Sequence, residues 1–189
     1  MVNQLRDWHD FYILIATASA TLIGLMFVAA SIGASVFNPD REVPLRAFLT
    51  PTVVHFSVIL VSCLASMAPS LASGSLGVPI VCIGIVGIAC ACRAVINLRR
   101  RGINLRKDLE DRFCYAIIPI ATYLALIATG VILPMRPGLG LDMLAATLVA
   151  LLLLGIHNAW DMTLWIVLNT QTDRAPVDEA RPGSDRAPP

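Results

Sequence analysis

From Phe11 to Phe37 the chain runs 27 residues without one charged side chain. A helix crosses the roughly 30 Å of bilayer hydrocarbon in about 20 residues, so this run is long enough to span it. Hydrocarbon offers no partner to backbone N–H and C=O groups, so a lipid-exposed stretch of this kind folds as a helix. Further apolar segments follow at about 47–72, 77–95, 113–135 and 143–168. The expected fold is an all-α integral membrane protein with five transmembrane helices, the first at about 11–37. Residues 1–169 form the membrane domain and 170–189 a disordered tail. Composition points the same way: 14% of residues are charged, against about a quarter in a soluble domain. The 189 residues leave no room for a folded soluble catalytic domain beside five spans.

Charge placement sets the expected orientation. With five spans, one side of the membrane holds only Arg6 and Arg136. The other holds Arg41, Arg46, seven basic residues from Arg93 to Arg112, and Arg174, Arg181 and Arg186, a split of 12 against 2. Basic loops stay in the cytoplasm, which places the amino terminus outside and the carboxyl terminus inside. Asp7 and Asp10 precede a run too long for a signal peptide, so the first helix is read as retained. Trp8 and Tyr12 are then expected at the outer interface, with Trp160 and Trp165 near the inner one.

The tail repeats Asp-Arg-Ala-Pro at Asp173 and Asp185 and is too poor in apolar residues to fold. Arg99, Arg100 and Arg101 open the one substantial loop, where they contact anionic lipid headgroups or an acidic partner. A net charge of +1 and a pI of about 7.7 argue against nucleic acid as a partner. Five cysteines, all within or at the edges of apolar segments, do not suggest a disulfide framework. Cys90 and Cys92 are two residues apart on a helix and point away from each other, so they chelate no common metal ion.

The sequence holds no Gly-x-Ser-x-Gly elbow, His-Glu-x-x-His, phosphate-cradling loop or dinucleotide fingerprint. What remains is a thin layer of polar residues at similar depth. Counted from the expected cytoplasmic ends at about 1.5 Å per residue, His55 lies roughly 12 Å in, Tyr123 15 Å, His157 16 Å and Asp161 10 Å. Asn158 falls between the last two. His157 and Asp161, four apart, share a helix face. Ionisable groups inside a bilayer are costly and usually serve function, which makes this layer the candidate site. Three readings are open. The layer lines a proton or ion path; His55 and His157 ligate a haem iron or another metal; or the residues bond helices together, with the fifth helix leaving the membrane near Trp160.

Ala16, Ala20 and Gly24 recur every four residues, as do Gly87 and Ala91, a spacing that lets helices approach closely in lipid. Pro51 and Pro119 are expected to kink their helices. The stretch from Trp8 to Ser31, with Gly24-Leu25-Met26-Phe27-Val28-Ala29, resembles the first helix of small uncharacterised bacterial multi-pass membrane proteins. The resemblance implies a bacterial cytoplasmic (inner) membrane, and thirteen arginines to one lysine fit a GC-rich genome. The expectation is a non-enzymatic homo-oligomer that passes an ion or small solute and carries no cofactor, with His157→Ala and Asp161→Ala altering flux. The alternatives are an accessory or scaffold subunit of a larger membrane complex and a bis-histidine haem or metal protein.

Overall fold

A computed structural model describes residues 8–36, 42–68, 75–100 and 117–172, and among them every regular element is a helix. There are five: α1 (His9–Val36), α2 (Glu42–Met67), α3 (Gly77–Arg100), α4 (Ile118–Ile132) and α5 (Pro137–Thr172). Stretches of α1, α3 and α5, namely His9–Ser31, Gly77–Ile96 and Pro137–Asp161, are long and apolar enough to cross a membrane. The apolar stretches of α2 and α4, Pro51–Met67 and Ile118–Ile132, are shorter.

The helix ends differ from the apolar segments for local reasons. α5 starts at Pro137, ahead of the expected Met143, because proline at the first helical position forfeits no intrahelical bond. The Gly140 amide donates to the Arg136 carbonyl at 2.9 Å and closes that first turn. Pro119 likewise stands in the first turn of α4 rather than in its middle, so it opens the described helix instead of kinking it. Pro51 does lie inside α2. At its far end α5 continues to Thr172, so residues 170–172 are helical where the tail was expected to begin. Residues 173–189, including the Asp-Arg-Ala-Pro repeat, lie outside the described residues.

Helices α2, α3, α4 and α5 pack in that order around a ring, and α1 lies against α2 with a smaller contact to α5. α2 and α4 therefore face each other across the interior. One end of the bundle carries the α4–α5 turn around Arg136, and the other carries Trp160. The outer surface is apolar: Phe27 is 74% exposed, and Leu14, Val78 and Leu153 are also turned outward. A soluble bundle would bury such side chains. Hydroxyls on this surface are satisfied locally: those of Thr21, Ser31 and Thr163 donate to the carbonyl four residues back at 2.8–2.9 Å.

Glycine sets the closest helix contact, between α3 and α4. A Cβ at Gly77 would strike the Gly130 carbonyl oxygen, and one at Gly130 would meet the backbone of Val81 and Gly77. Half a bundle deeper, the Tyr123 ring lies directly on the bare Cα of Gly87. In lipid, where helices gain nothing from burying apolar surface against each other, such contact supplies the packing energy. It also fixes where Tyr123 stands.

Candidate functional site

α2 buries a polar stripe. Thr52, His55, Ser62 and Ser66, with Ile59 between them, follow the alternating three- and four-residue spacing of one helix face, and all are buried. From this stripe His55 reaches across the bundle. Its Nδ1 lies 2.6 Å from the Tyr123 hydroxyl, with the ring centroids 5.6 Å apart and tilted by 40°. His55 is 2% exposed and Tyr123 fully buried.

Either group can donate in this bond. With Nδ1 protonated the imidazole donates to the phenol oxygen and Nε2 is an acceptor; in the other tautomer the phenol donates and Nε2 carries the hydrogen. His55 Nε2 is buried and has no partner. A ring nitrogen free to donate or accept, held at fixed depth by a partner on the opposite helix, can bind a polar ligand or pass a proton.

The other histidine of the expected layer is differently placed. His157 Nε2 lies 3.3 Å from Asp161 Oδ2, an i,i+4 pair whose side chains are 51% and 37% exposed. Asn158, next in sequence, is buried. Phe56 packs on Gly155 and sets the register of α2 against α5. One turn further towards the Trp160 end, Asn158 is thus level with Thr52.

The structure therefore divides the layer. His55, Tyr123 and Asn158 face inward, while His157 and Asp161 face out from the bundle. One imidazole is sealed inside and the other turned outward. Among the described residues no three His, Cys, Asp or Glu side chains converge on a metal-sized site.

The remaining predicted residues also separate. Gly87 and Ala91 lie within the chain's own packing, Ala91 being buried and Gly87 beneath Tyr123. Ala16 is half-buried and packs against the core, whereas Ala20 is exposed and Gly24 has open space beside it, so among the described residues the last two of this stripe face away from the chain's own core. α3 takes in Arg99 and Arg100 as its last residues, and Arg101 lies outside the described residues. Tyr12, expected at the interface, is turned inward and buried, whereas Trp160 is exposed. Ser19 and Ser62, both buried, escaped the sequence reading, as did the packing glycines Gly77, Gly130 and Gly155. Ser62 was legible through the three-and-four spacing of polar residues on α2. Ser19 carried no such signal.

No family model matches this chain, and neither a curated protein nor a solved structure shows significant similarity to it.

Proposed function

We propose that this chain is a five-span, non-enzymatic protein of a bacterial cytoplasmic membrane that passes an ion or small solute. The observation that carries the reading is the His55–Tyr123 pair. A hydrogen-bonded imidazole with a free nitrogen, enclosed by helices whose outer surface is apolar, is an expensive arrangement in lipid and marks a functional site by default. Membrane residence is supported by the three long apolar helices and the outward-facing side chains. The chain crosses five times, with α2 and α4 as spans packed between the longer ones, and the 12-to-2 division of basic residues sets the amino terminus outside.

It works as a homo-oligomer. The exposed face of α1, with Ala20 and Gly24, supports this, since small residues on an unpartnered helix face favour helix–helix contact in lipid. The same face favours a second reading, an accessory subunit of a larger membrane complex. The seven basic residues between Arg93 and Arg112 rest among anionic lipid headgroups in either case.

The test is purified protein in liposomes of phosphatidylethanolamine and phosphatidylglycerol, compared with protein-free vesicles for passage of protons, potassium, chloride and glycerol. Native mass spectrometry of gently released protein gives the copy number. Passage of at least one solute together with a single-chain multimer is expected. No passage above protein-free vesicles, with a stoichiometric second protein in the native complex, overturns the transport reading in favour of the accessory one.

A further inference from the structure

Among the described residues, five buried side-chain atoms lack hydrogen-bond partners: Tyr12 Oη, Ser19 Oγ, His55 Nε2, Ser62 Oγ and Asn158 Oδ1. In a protein interior such groups find a protein or water partner almost without exception. Two of the serines stand out further. The hydroxyls of Ser66, Thr122, Thr129 and Thr147 all donate to a carbonyl of their own helix. Ser19 and Ser62 could bond in the same way but do not.

Register places these atoms in sequence along α2. Tyr12 lies against Cys63 and Ser66, close to the Ser66 hydroxyl though without hydrogen-bond geometry, and within electrostatic reach of Asp142. α1 and α2 run antiparallel, and Ser19 is two turns further along the buried face of α1. It is therefore level with the α2 residue two turns before Ser66, which is Ile59. Ile59 is the one apolar member of the α2 stripe, so Ser19 brings a hydroxyl to the level where α2 has none. Asn158 stands level with Thr52 at the other end. The order from the Arg136 end to the Trp160 end is Tyr12, Ser62, Ser19, His55, Asn158.

Successive levels are about 4.5–6 Å apart along the helix axis, at about 1.5 Å per residue. One water molecule with two hydrogen bonds bridges about that distance. From Ser66 to Thr52 the stripe covers 14 residues, or about 21 Å, most of the roughly 30 Å of hydrocarbon. An exposed carboxylate lies near each end, Asp142 by Tyr12 and, one turn beyond Asn158, the half-exposed Asp161.

We propose that this stripe holds a single file of bound waters within one chain and that the permeant is the proton. The inference rests on the transport reading and names its substrate. A proton enters the file at one carboxylate, each water hands on a different proton, and one leaves at the other end, so no net chemistry occurs. At His55 the bond to Tyr123 holds the ring so that Nε2 anchors one water of the file, and the proton passes from that water to the next without residing on the imidazole.

The experiment uses the liposomes above, loaded with a pH-sensitive dye, with a potassium–valinomycin shunt for charge balance and a pH step outside. Ser62→Val and Ser19→Val each lower proton flux by about tenfold, the effect of one unmade hydrogen bond on a bound water. Ser62→Thr keeps the hydroxyl and keeps the flux. Thr21→Val, whose exposed hydroxyl bonds the Thr17 carbonyl on the outer side of α1, leaves it unchanged. In isotope-labelled protein in bilayers, magnetisation transfer from water reaches the Ser62 side chain in the wild type, a readout independent of flux. Wild-type vesicles that pass potassium, chloride or glycerol but no protons overturn the proton file and leave the transport reading standing. Vesicles that pass nothing overturn both. Proton flux unchanged in both valine variants also overturns the file.

Discussion

Two histidine pairs, less than the thickness of a membrane apart, show what position does to the same chemistry. His55 and Tyr123 come from opposite helices, are enclosed, and meet at 2.6 Å. His157 and Asp161 are one turn apart on α5, half-exposed, and meet at 3.3 Å. The first pair depends on the fold being correct, because the residues are 68 apart in sequence. The second forms in any helix that contains it. Sequence spacing alone favours the second pair, since i,i+4 neighbours can be seen by counting. The three-dimensional arrangement favours the first, which has an enclosed site and a free ring nitrogen.

The comparison can be broken from below the ring. Gly87→Leu puts a side chain where the Tyr123 ring lies and separates it from His55, with an expected loss of about 2–3 kcal/mol from overpacking. Unfolding in mixed detergent–SDS micelles measures this. Stability equal to the wild type would contradict the described contact. A smaller loss, about 1 kcal/mol, is expected for Tyr123→Phe, which removes one partner of a buried bond while keeping the ring. The double variant with His55→Phe should cost less than the sum of the two single changes. Additive losses would mean that the residues are not bonded.

The exposed pair should respond weakly. His157→Ala and Asp161→Ala each change stability by less than about 0.5 kcal/mol, the range for solvent-accessible i,i+4 pairs. A loss above about 1 kcal/mol would place them in an interface between copies. Gly24→Leu, whose added side chain meets open space within the chain, should leave the stability of one chain within about 0.5 kcal/mol while reducing the copy number seen by native mass spectrometry. An unchanged copy number would remove this face from the assembly.

Helical class was legible because charge-free runs in a sequence of this hydropathy admit little else. Helix ends were less so. The fifth segment was counted from Met143, just after Asp142, and an apolar count cannot detect that the helix opens at Pro137. Depth was legible too, since counting from helix ends put His55 and Tyr123 within about 3 Å of each other along the membrane normal. Facing was not. His157, Asn158 and Asp161 fall in one polar run, and only the packing of Gly155 against Phe56 shows that Asn158 turns in while its neighbour turns out. The same limit hid Tyr12, whose place near the start of α1 suggested an interfacial ring and whose neighbours on α2 enclose it.

The most direct test of the account compares the two histidines in one assay. His55→Ala and His157→Ala are reconstituted at equal protein content in the same vesicles, with Tyr123→Phe as a milder disturbance of the inner pair. The account predicts that passage of the transported solute is lost in His55→Ala, reduced in Tyr123→Phe and retained in His157→Ala. Passage that survives in folded His55→Ala and Tyr123→Phe but disappears in His157→Ala would contradict it and move the pathway to the outer face of α5.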